Sequence, residues 1–135
     1  MKIVTVAAVA LVDDERRILV AQRPEGKHMA GLWEFPGGKL EEDEIPEQAL
    51  IRELKEELQI KVTRQDLKPV GFVSHAYEEF HLLMLLYGCT RWYGKLQATE
   101  HSGLKWTYVD ALSRLPMPPA DAPLLKPLSH FMREA

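Results

Sequence analysis

The sequence predicts an α+β fold that occupies residues 1–135 as a single domain. Two observations predict this class. Short runs of β-branched and aromatic residues recur along the chain and are typical of strands. The segment Pro46–Leu58, in contrast, repeats its apolar residues at helical spacing. Because strands and helices mix without strict alternation, both kinds of element are expected to pack on one core.

Strands are expected on both sides of this helix. Residues 3–12 and 17–21 flank the polar stretch "DDER" and predict an opening β-hairpin. Residues 32–35 form a short strand candidate that ends at a glycine pair, where the backbone can turn sharply. The last element is a helix over 123–135, which Pro127 is expected to break or kink early. Further strands are predicted at residues 69–75, 80–89 and 104–109.

The composition disfavours several classes of partner. A formal net charge of -3 gives no general attraction to nucleic acid polymers or to membranes of anionic lipid. The apolar start of the chain runs into charged residues without the cleavage site of a secretory signal, so it is interpreted as a strand. Cys89 lies in the apolar run "HLLMLLYGC", which predicts burial and fits a reducing cytoplasm. No metal-ligand spacing joins Cys89 to His75, His81, His101 or His130, which are interpreted as ordinary strand, loop or surface residues.

The helix Pro46–Leu58 separates an apolar stripe from an acidic patch. The stripe that is expected to be buried consists of Leu50, Ile51, Leu54 and Leu58. On another face Glu53, Glu56 and Glu57 stand at i, i+3 and i+4. A solvated helix face is the ordinary interpretation of a charge run, but solvated faces usually alternate in sign.

The acidic patch therefore requires a source of positive charge. Lys55 is expected to point away from it, and Arg52 to lie only at its margin. Like charges at this spacing cost roughly a few tenths of a kcal/mol per pair. A hard divalent cation with oxygen ligands is the natural candidate. Gly37 and Gly38 can bring backbone groups near such a ligand, and Lys39 is available for an anionic group.

These features together resemble a known signature. The chain resembles the signature of the Nudix hydrolase family in the spacing of its residues. Five residues separate Gly38 from Glu44, and seven more separate Glu44 from the segment "RELKEELQI" at 52–60. Gln59 departs from it, because the family usually has glycine there, which eases a left-handed turn after the helix. Ile45 stands where a Ser or Thr would cap the helix. Both departures are expected to cost a little local stability and to touch no metal position.

The resemblance implies a fold, a reaction and a cofactor. Nudix hydrolases are α/β/α sandwiches around a mixed β-sheet, and they hydrolyse nucleoside diphosphates linked to another group with Mg²⁺ or Mn²⁺. The implied metal ligands are the carbonyl of Gly37 and the side chains of Glu53, Glu56 and Glu57. The implied catalytic groups are Glu53 as general base, Arg52, which orients it, Glu44 and Glu100. Glu100 lies outside the signature, and an ordinary exposed loop residue is its alternative.

The resemblance extends to the MutT branch of the family. The segments "LVAQRPEGKHMAGLWEFPGGK" and "LPMPPADAPLL" look like that branch, whose members convert nucleoside triphosphates to monophosphates and pyrophosphate. The implied partner is therefore a small-molecule nucleotide. The implied substrate-binding residues are Arg23, His28, Glu34, Phe35, Gly38, Lys39 and Asp121. A surface charge, a loop residue and core packing are the ordinary alternatives for Arg23, His28 and Phe35.

Asp121 leaves the base specificity open. The bacterial MutT pattern has Asn there, which can donate to guanine O6 and accept from the N7–H of 8-oxoguanine, whereas an ionised Asp only accepts. An ionised Asp121 favours an exocyclic amino group, as on cytosine or adenine, unless burial keeps the carboxyl protonated. The segment "GKHMAGLWEFPGGK" resembles the MutT pattern more closely, and this resemblance favours 8-oxo-dGTP. The alternatives are a CTP or dCTP pyrophosphohydrolase, a non-catalytic Nudix module, and a helix N-cap role for Asp121. Monomer and dimer are both left open.

Overall fold

A mixed sheet, a smaller antiparallel sheet and two helices form the fold of the computed structural model, which describes residues 1–134. The strands are β1 Ile3–Leu11, β2 Ile18–Gln22, β3 Trp33–Glu34, β4 Gly37–Lys39, β5 Lys68–Ala76, β6 His81–Cys89 and β7 Gly103–Thr107. The helices are α1 Pro46–Leu58 and α2 Leu125–Glu134. Short 3₁₀ turns cover Arg64–Asp66, Val109–Arg114 and Ala122–Leu124.

The mixed sheet lies between the two helices. Its order is β4-β1-β6-β5, with β1 parallel to β6 and the other pairs antiparallel. Successive residues of β1 point to opposite faces, as the pleat requires. The face toward α1 carries Ala7, Val9 and Leu11, and the face toward α2 carries Ala8, Ala10 and Val12. Both faces are covered, which confirms the predicted α/β/α sandwich.

The prediction of an opening hairpin holds only at its tip and is wrong for the rest of the two strands. Val12 and Ile18 form an isolated antiparallel bridge, but β1 and β2 then enter different sheets. The reason is that β1 is hydrogen-bonded to β4 on one edge and to β6 on the other. Strand β2 pairs instead with β3 and β7, in the antiparallel sheet β3-β2-β7.

The glycine pair forms strand β4 rather than the predicted sharp turn. Gly37 pairs with Ala8 and Gly38 pairs with Ala7 of β1. Gly37 has a φ of 153°, and a Cβ on it would lie 2.1 Å from the carbonyl oxygen of Ala7. Glycine is required at residue 37 because the two backbones approach so closely.

Helix α1 begins and ends at the predicted residues. Ile45 offers no side-chain cap, although its N–H donates to Gln48 Oε1 at 3.1 Å. Gln59 adopts the left-handed conformation, with φ 59° and ψ 33°, as expected where the signature has glycine. Of the predicted stripe, Ile51 is only half-buried.

The C-terminal helix is less disturbed by its proline than predicted. It begins as the 3₁₀ turn Ala122–Leu124 and continues as α2, and residue 135 lies outside the described residues. Pro127 falls in the first turn of α2, where an N–H would have no partner within the helix. The predicted break at Pro127 is therefore wrong.

Cys89 is buried, as predicted. Within residues 1–134, no helix has the length and apolar character that crossing a membrane requires.

Replacing Gln59 with glycine should stabilise the protein. A residue with a Cβ is disfavoured in the left-handed conformation, so Gln59→Gly should raise the free energy of unfolding in urea by up to about 1 kcal/mol. Lys55→Gly, at an exposed interior position of the same helix, should lower it by about 1 kcal/mol. Destabilisation by both variants would show that residue 59 is not strained.

Candidate active site

Helix α1 holds its acidic face against strand β4. Leu50, Leu54 and Leu58 are fully buried on the apolar stripe, which fixes the rotation of the helix. Glu53 then lies directly over Gly38, because a Cβ on Gly38 would be 2.4 Å from the carboxyl carbon of Glu53. The carboxylate therefore occupies the space that any larger residue at position 38 would need.

Arg52 lies at the centre of an ion-pair network, and not at the margin as predicted. Its Nε and Nη2 each donate to the carboxylate of Glu44 at 2.9 Å, and its Nη1 donates to Glu53 at 2.7 Å. Nη2 also donates to the carbonyl of Lys39 at 3.1 Å, and Nη1 lies 3.6 Å from Glu56. The hydrogen bonds from Arg52 lower the pKa of Glu44 to about 2. Arg52 thereby fixes the position of Glu53.

Glu57 is buried, with 6% of its surface exposed. Within residues 1–134, its Oε2 has no hydrogen-bond partner. Burial, followed by the charges of Glu53, Glu100 and Glu34, raises the pKa of Glu57 well above its ordinary value of 4.5. Several carboxyl groups thus compete to be ionised in one place, and a proton on Glu57 relieves their repulsion when no cation does so.

A cleft of about 320 Å³ opens beside these carboxylates. Most of the predicted site residues meet there. Arg23 is fixed at the wall, because its Nη1 donates to Glu34 at 2.9 Å and its Nε donates to the carbonyl of His28 at 2.7 Å. The predicted residues that line the cleft are Arg23, Glu34, Phe35, Gly37, Gly38, Lys39, Glu57 and Glu100. Cationic and anionic groups therefore face one space.

A second cavity, of about 190 Å³, adjoins the cleft and is also lined by Arg23, Glu34 and Lys39. Asp121 lies in its wall and is only 3% exposed. The backbone N–H of Phe35 donates to the Asp121 carboxyl, whereas Oδ2 has no partner in residues 1–134. Burial, followed by the charge of Glu34, raises the pKa of Asp121 to about 7. Asp121 makes no side-chain cap to the turn that follows it, so the N-cap alternative is wrong.

Two aromatic residues in the second cavity were not predicted from the sequence. Tyr77 and Phe80, in the connection between β5 and β6, stack with their ring centroids 5.1 Å apart. They line the cavity together with His28. The backbone N–H of Ala120 donates to the Tyr77 hydroxyl. The available signal is Tyr77 between two predicted strands and Phe80 at the start of the second one, and such aromatic pairs are common in ordinary packing.

His101 is more than the ordinary loop residue that the sequence suggested. Its side chain is 6% exposed and its Nε2 lies 3.6 Å from Glu34 Oε2. Glu34 therefore contacts Arg23 through one carboxylate oxygen and His101 through the other. The adjacency of His101 to Glu100 in the chain is the signal that could have found it.

The carboxylates of α1 are not preassembled as metal ligands. Across residues 1–134, no three His, Cys, Asp or Glu side chains are grouped so that they could hold a cation as they stand. Arg52 holds Glu53 and lies near Glu56, while Glu57 faces the cleft. The donor chemistry nevertheless fits a hard divalent cation, because Glu57 offers a buried oxygen without a partner among other carboxylates.

The mixed sheet lies between two helices, and the acidic face of α1 packs on strand β4 beside a cleft of about 320 Å³. This arrangement fits the class of metal-assisted hydrolase that the signature implies. The family model of the NUDIX domain matches residues 7–127 of the chain. This chain belongs to the Nudix family and is a Nudix hydrolase of the MutT type. Nudix hydrolases generally use divalent metal ions and act on small-molecule nucleotides.

The chain is similar to relatives that are named for two different substrates. The CTP pyrophosphohydrolase of Escherichia coli (strain K12) is 41% identical over 128 residues, 93% of this chain and 91% of that protein. The 8-oxo-dGTP diphosphatase of Proteus vulgaris is 44% identical over 98 residues, 73% of this chain and 84% of that protein. The solution structure of the E. coli ORF135 protein has a TM-score of 0.85 and 38% identity, covering 97% and 91% of the two chains. The crystal structure of the MutT Nudix hydrolase from Burkholderia pseudomallei has a TM-score of 0.83 and 28% sequence identity, and the match covers 95% of this chain and 99% of that chain.

Without divalent metal ions, the protein should lose stability as the pH rises. The raised pKa of Glu57 means that the folded state binds this proton more tightly than the unfolded state does. Its stabilising contribution is complete below the ordinary value of 4.5 and is lost as the pH rises through the raised value. Urea titrations in EDTA should show this decline, and Glu57→Gln should reduce it.

Mg²⁺ should reverse the loss at high pH. At about 100 times its dissociation constant, a cation that binds only the folded state adds about 2.7 kcal/mol to the free energy of unfolding.

In the titrations without metal, parallel curves of unfolding free energy against pH for wild type and Glu57→Gln would show that Glu57 does not carry the raised pKa.

Proposed function

We propose that this chain is a cytoplasmic enzyme that hydrolyses 8-oxo-dGTP to 8-oxo-dGMP and pyrophosphate with Mg²⁺ or Mn²⁺. Removal of this oxidised precursor would prevent mutations. The observation that carries the proposal is Asp121, a buried carboxyl with a pKa of about 7 in a cavity that adjoins the carboxylate cleft. When protonated, its hydroxyl can donate to guanine O6 and its other oxygen can accept from N7–H. It then offers the same donor and acceptor as the Asn of the bacterial MutT pattern.

The polyphosphate is proposed to occupy the cleft. Lys39 and Arg23 provide positive charge on its walls. The Gly37 carbonyl and the carboxylates of Glu53, Glu56 and Glu57 would hold the metal ion. When bound, a divalent cation offsets the charge of a polyphosphate and supplies Lewis-acid chemistry.

Glu53 is proposed to be the general base that takes a proton from the attacking water. Its position is supported by two contacts, the 2.7 Å hydrogen bond from Arg52 and the close approach to Gly38. Arg52 is held in turn by both oxygens of Glu44. This network keeps Glu53 in one place, which is how a positioned base contributes to the rate.

The nucleoside is proposed to occupy the second cavity. The Tyr77–Phe80 pair offers an aromatic wall for the base. Arg23 lies where the two cavities meet, so it can contact the phosphate nearest the sugar. His28 and the backbone near Phe35 complete the proposed base site beside Asp121.

The same observation favours a second candidate, a CTP or dCTP pyrophosphohydrolase. Above a pH of about 7, Asp121 is ionised and only accepts hydrogen bonds. An ionised Asp121 suits the exocyclic amino group of cytosine and repels guanine O6. The proton on Asp121 therefore selects between the two bases.

Glu53→Gln should abolish most of the activity. Removing a general base typically lowers kcat by about 10² to 10⁴. Because Glu53 is also a proposed metal ligand, the comparison is made at saturating Mg²⁺. Pyrophosphate release under Mg²⁺ measures this. Glu42→Gln, which removes an exposed carboxylate before the same helix, is the matched control and should remain active. Activity of Glu53→Gln within about threefold of wild type would rule Glu53 out as the base.

The base preference should change with pH. The ratio of kcat/KM for 8-oxo-dGTP to that for dCTP should fall as the pH rises through about 7, because Asp121 loses its proton there. The groups that face Asp121 are Glu34, Arg23 and Tyr77. Effects on metal binding and on the hydrolytic step are shared by both substrates and cancel in the ratio.

Asp121→Asn is the control for this pH dependence. Its amide donates and accepts at every pH, so the ratio should favour 8-oxo-dGTP and become independent of pH. A wild-type ratio that does not vary between about pH 6 and pH 8 would contradict a titrating base reader. A ratio that favours dCTP at every pH would support the CTP or dCTP enzyme.

A further inference from the structure

The loop that carries Glu100 caps the C-terminal end of helix α1. The last carbonyls of a helix have no partner within the helix and must find one elsewhere. In α1 the carbonyl of Leu58 accepts from the N–H of Gln97 at 3.0 Å, and that of Glu57 accepts from the N–H of Thr99 at 3.0 Å. The hydroxyl of Thr99 donates to the carbonyls of Glu56 at 2.8 Å and Glu57 at 3.1 Å.

The other side of the loop is attached to the antiparallel sheet. The N–H of Ser102 donates to the carbonyl of Gln22 at 3.0 Å. The buried imidazole of His101 lies against Glu34, with Nε2 3.6 Å from Oε2. The loop is thus hydrogen-bonded at Thr99 to helix α1 and at Ser102 to strand β2, and the imidazole of His101 packs beside Glu34 of strand β3.

Glu100 lies between these two attachments. It lines the cleft with Glu57, and its charge acts on the Glu57 carboxyl. Its own carboxylate makes no hydrogen bond or ion pair within residues 1–134. The fold therefore holds the backbone on either side of Glu100 and leaves its carboxylate available in the cleft.

We propose that Thr99 and His101 are positioning residues that hold Glu100 at a fixed distance from the carboxylates of α1, so that Glu100 takes part in the hydrolysis. This inference rests on the proposed function. The hydroxyl of Thr99 matters most, because it attaches the loop directly to the last turns of α1 through the carbonyls of Glu56 and Glu57. Small displacements of reacting groups have large effects on rate.

The test is a double-mutant cycle with Thr99→Val and Glu100→Gln. Valine keeps the shape of threonine and removes only the hydroxyl. Thr99→Val should lower kcat for pyrophosphate release by about tenfold with KM for nucleotide nearly unchanged. In the Glu100→Gln background it should have no further effect, because its role is exercised through Glu100. Thr99→Ser, which keeps the hydroxyl, should restore most of the rate.

Amide hydrogen exchange of the metal-free protein gives a readout that is independent of activity. Thr99→Val should increase exchange in residues 97–102 and leave the first turns of α1 unchanged. His101→Gln should also increase exchange in this loop, which tests the second attachment. Thr63→Val, which removes an exposed hydrogen bond from a hydroxyl in the turn after α1, is the matched control. It should change neither kcat nor amide exchange in residues 97–102.

The outcomes separate this inference from the proposed function. Wild type that releases no pyrophosphate from any nucleoside triphosphate would refute the proposed function whatever the exchange shows. An active wild type with Thr99→Val at full rate, or with the same loss in both backgrounds, would overturn the positioning role alone. Unaltered exchange in residues 97–102 would show that Thr99 does not hold the loop.

Discussion

The carboxylate of Glu57 is kept out of water beside Glu53, Glu34 and Glu100, and the rest of the site is built around this repulsion. The leucine stripe fixes the rotation of α1, and Gly38 leaves the space that Glu53 occupies. Arg52 neutralises the side that faces Glu44, whereas Glu57, on the side of the cleft, has an Oε2 with no hydrogen-bond partner within residues 1–134. Burying carboxylates together is unfavourable unless a cation or a proton joins them. A divalent cation removes this repulsion and turns the same groups into ligands.

Glu34 connects the phosphate side of the site to the base side. Its charge raises the pKa of both Glu57 and Asp121, and its two oxygens contact Arg23 and His101. Strand β3 is short, but it places this carboxylate where the two cavities adjoin. Glu34 therefore acts both on the carboxyl group of Glu57 beside the cleft and on the carboxyl group of Asp121 in the second cavity.

Local periodicity made the carboxylate triplet, helix α1 and most strands predictable from the sequence. The left-handed conformation of Gln59 was expected from the resemblance to the family signature, which usually has glycine at this helix end. The pairing of β1 was not, because two segments that lie later in the chain occupy its edges. The hub position of Arg52 also escaped prediction, since it depends on Glu44 folding back from before the helix. Burial of Asp121 and His101 depends on contacts with the distant residues Phe35 and Glu34, so residue type and spacing carried no information about it.

The most direct test is calorimetry of Mg²⁺ binding near pH 7 in buffers of different ionisation enthalpy, which counts the protons released per cation. Metal binding to a protonated carboxyl must displace its proton. Release of about one proton is expected from wild type and markedly less from Glu57→Gln. Mg²⁺ binding without proton release, or with equal release from both proteins, would contradict the claim that the crowded carboxylates are built for a cation.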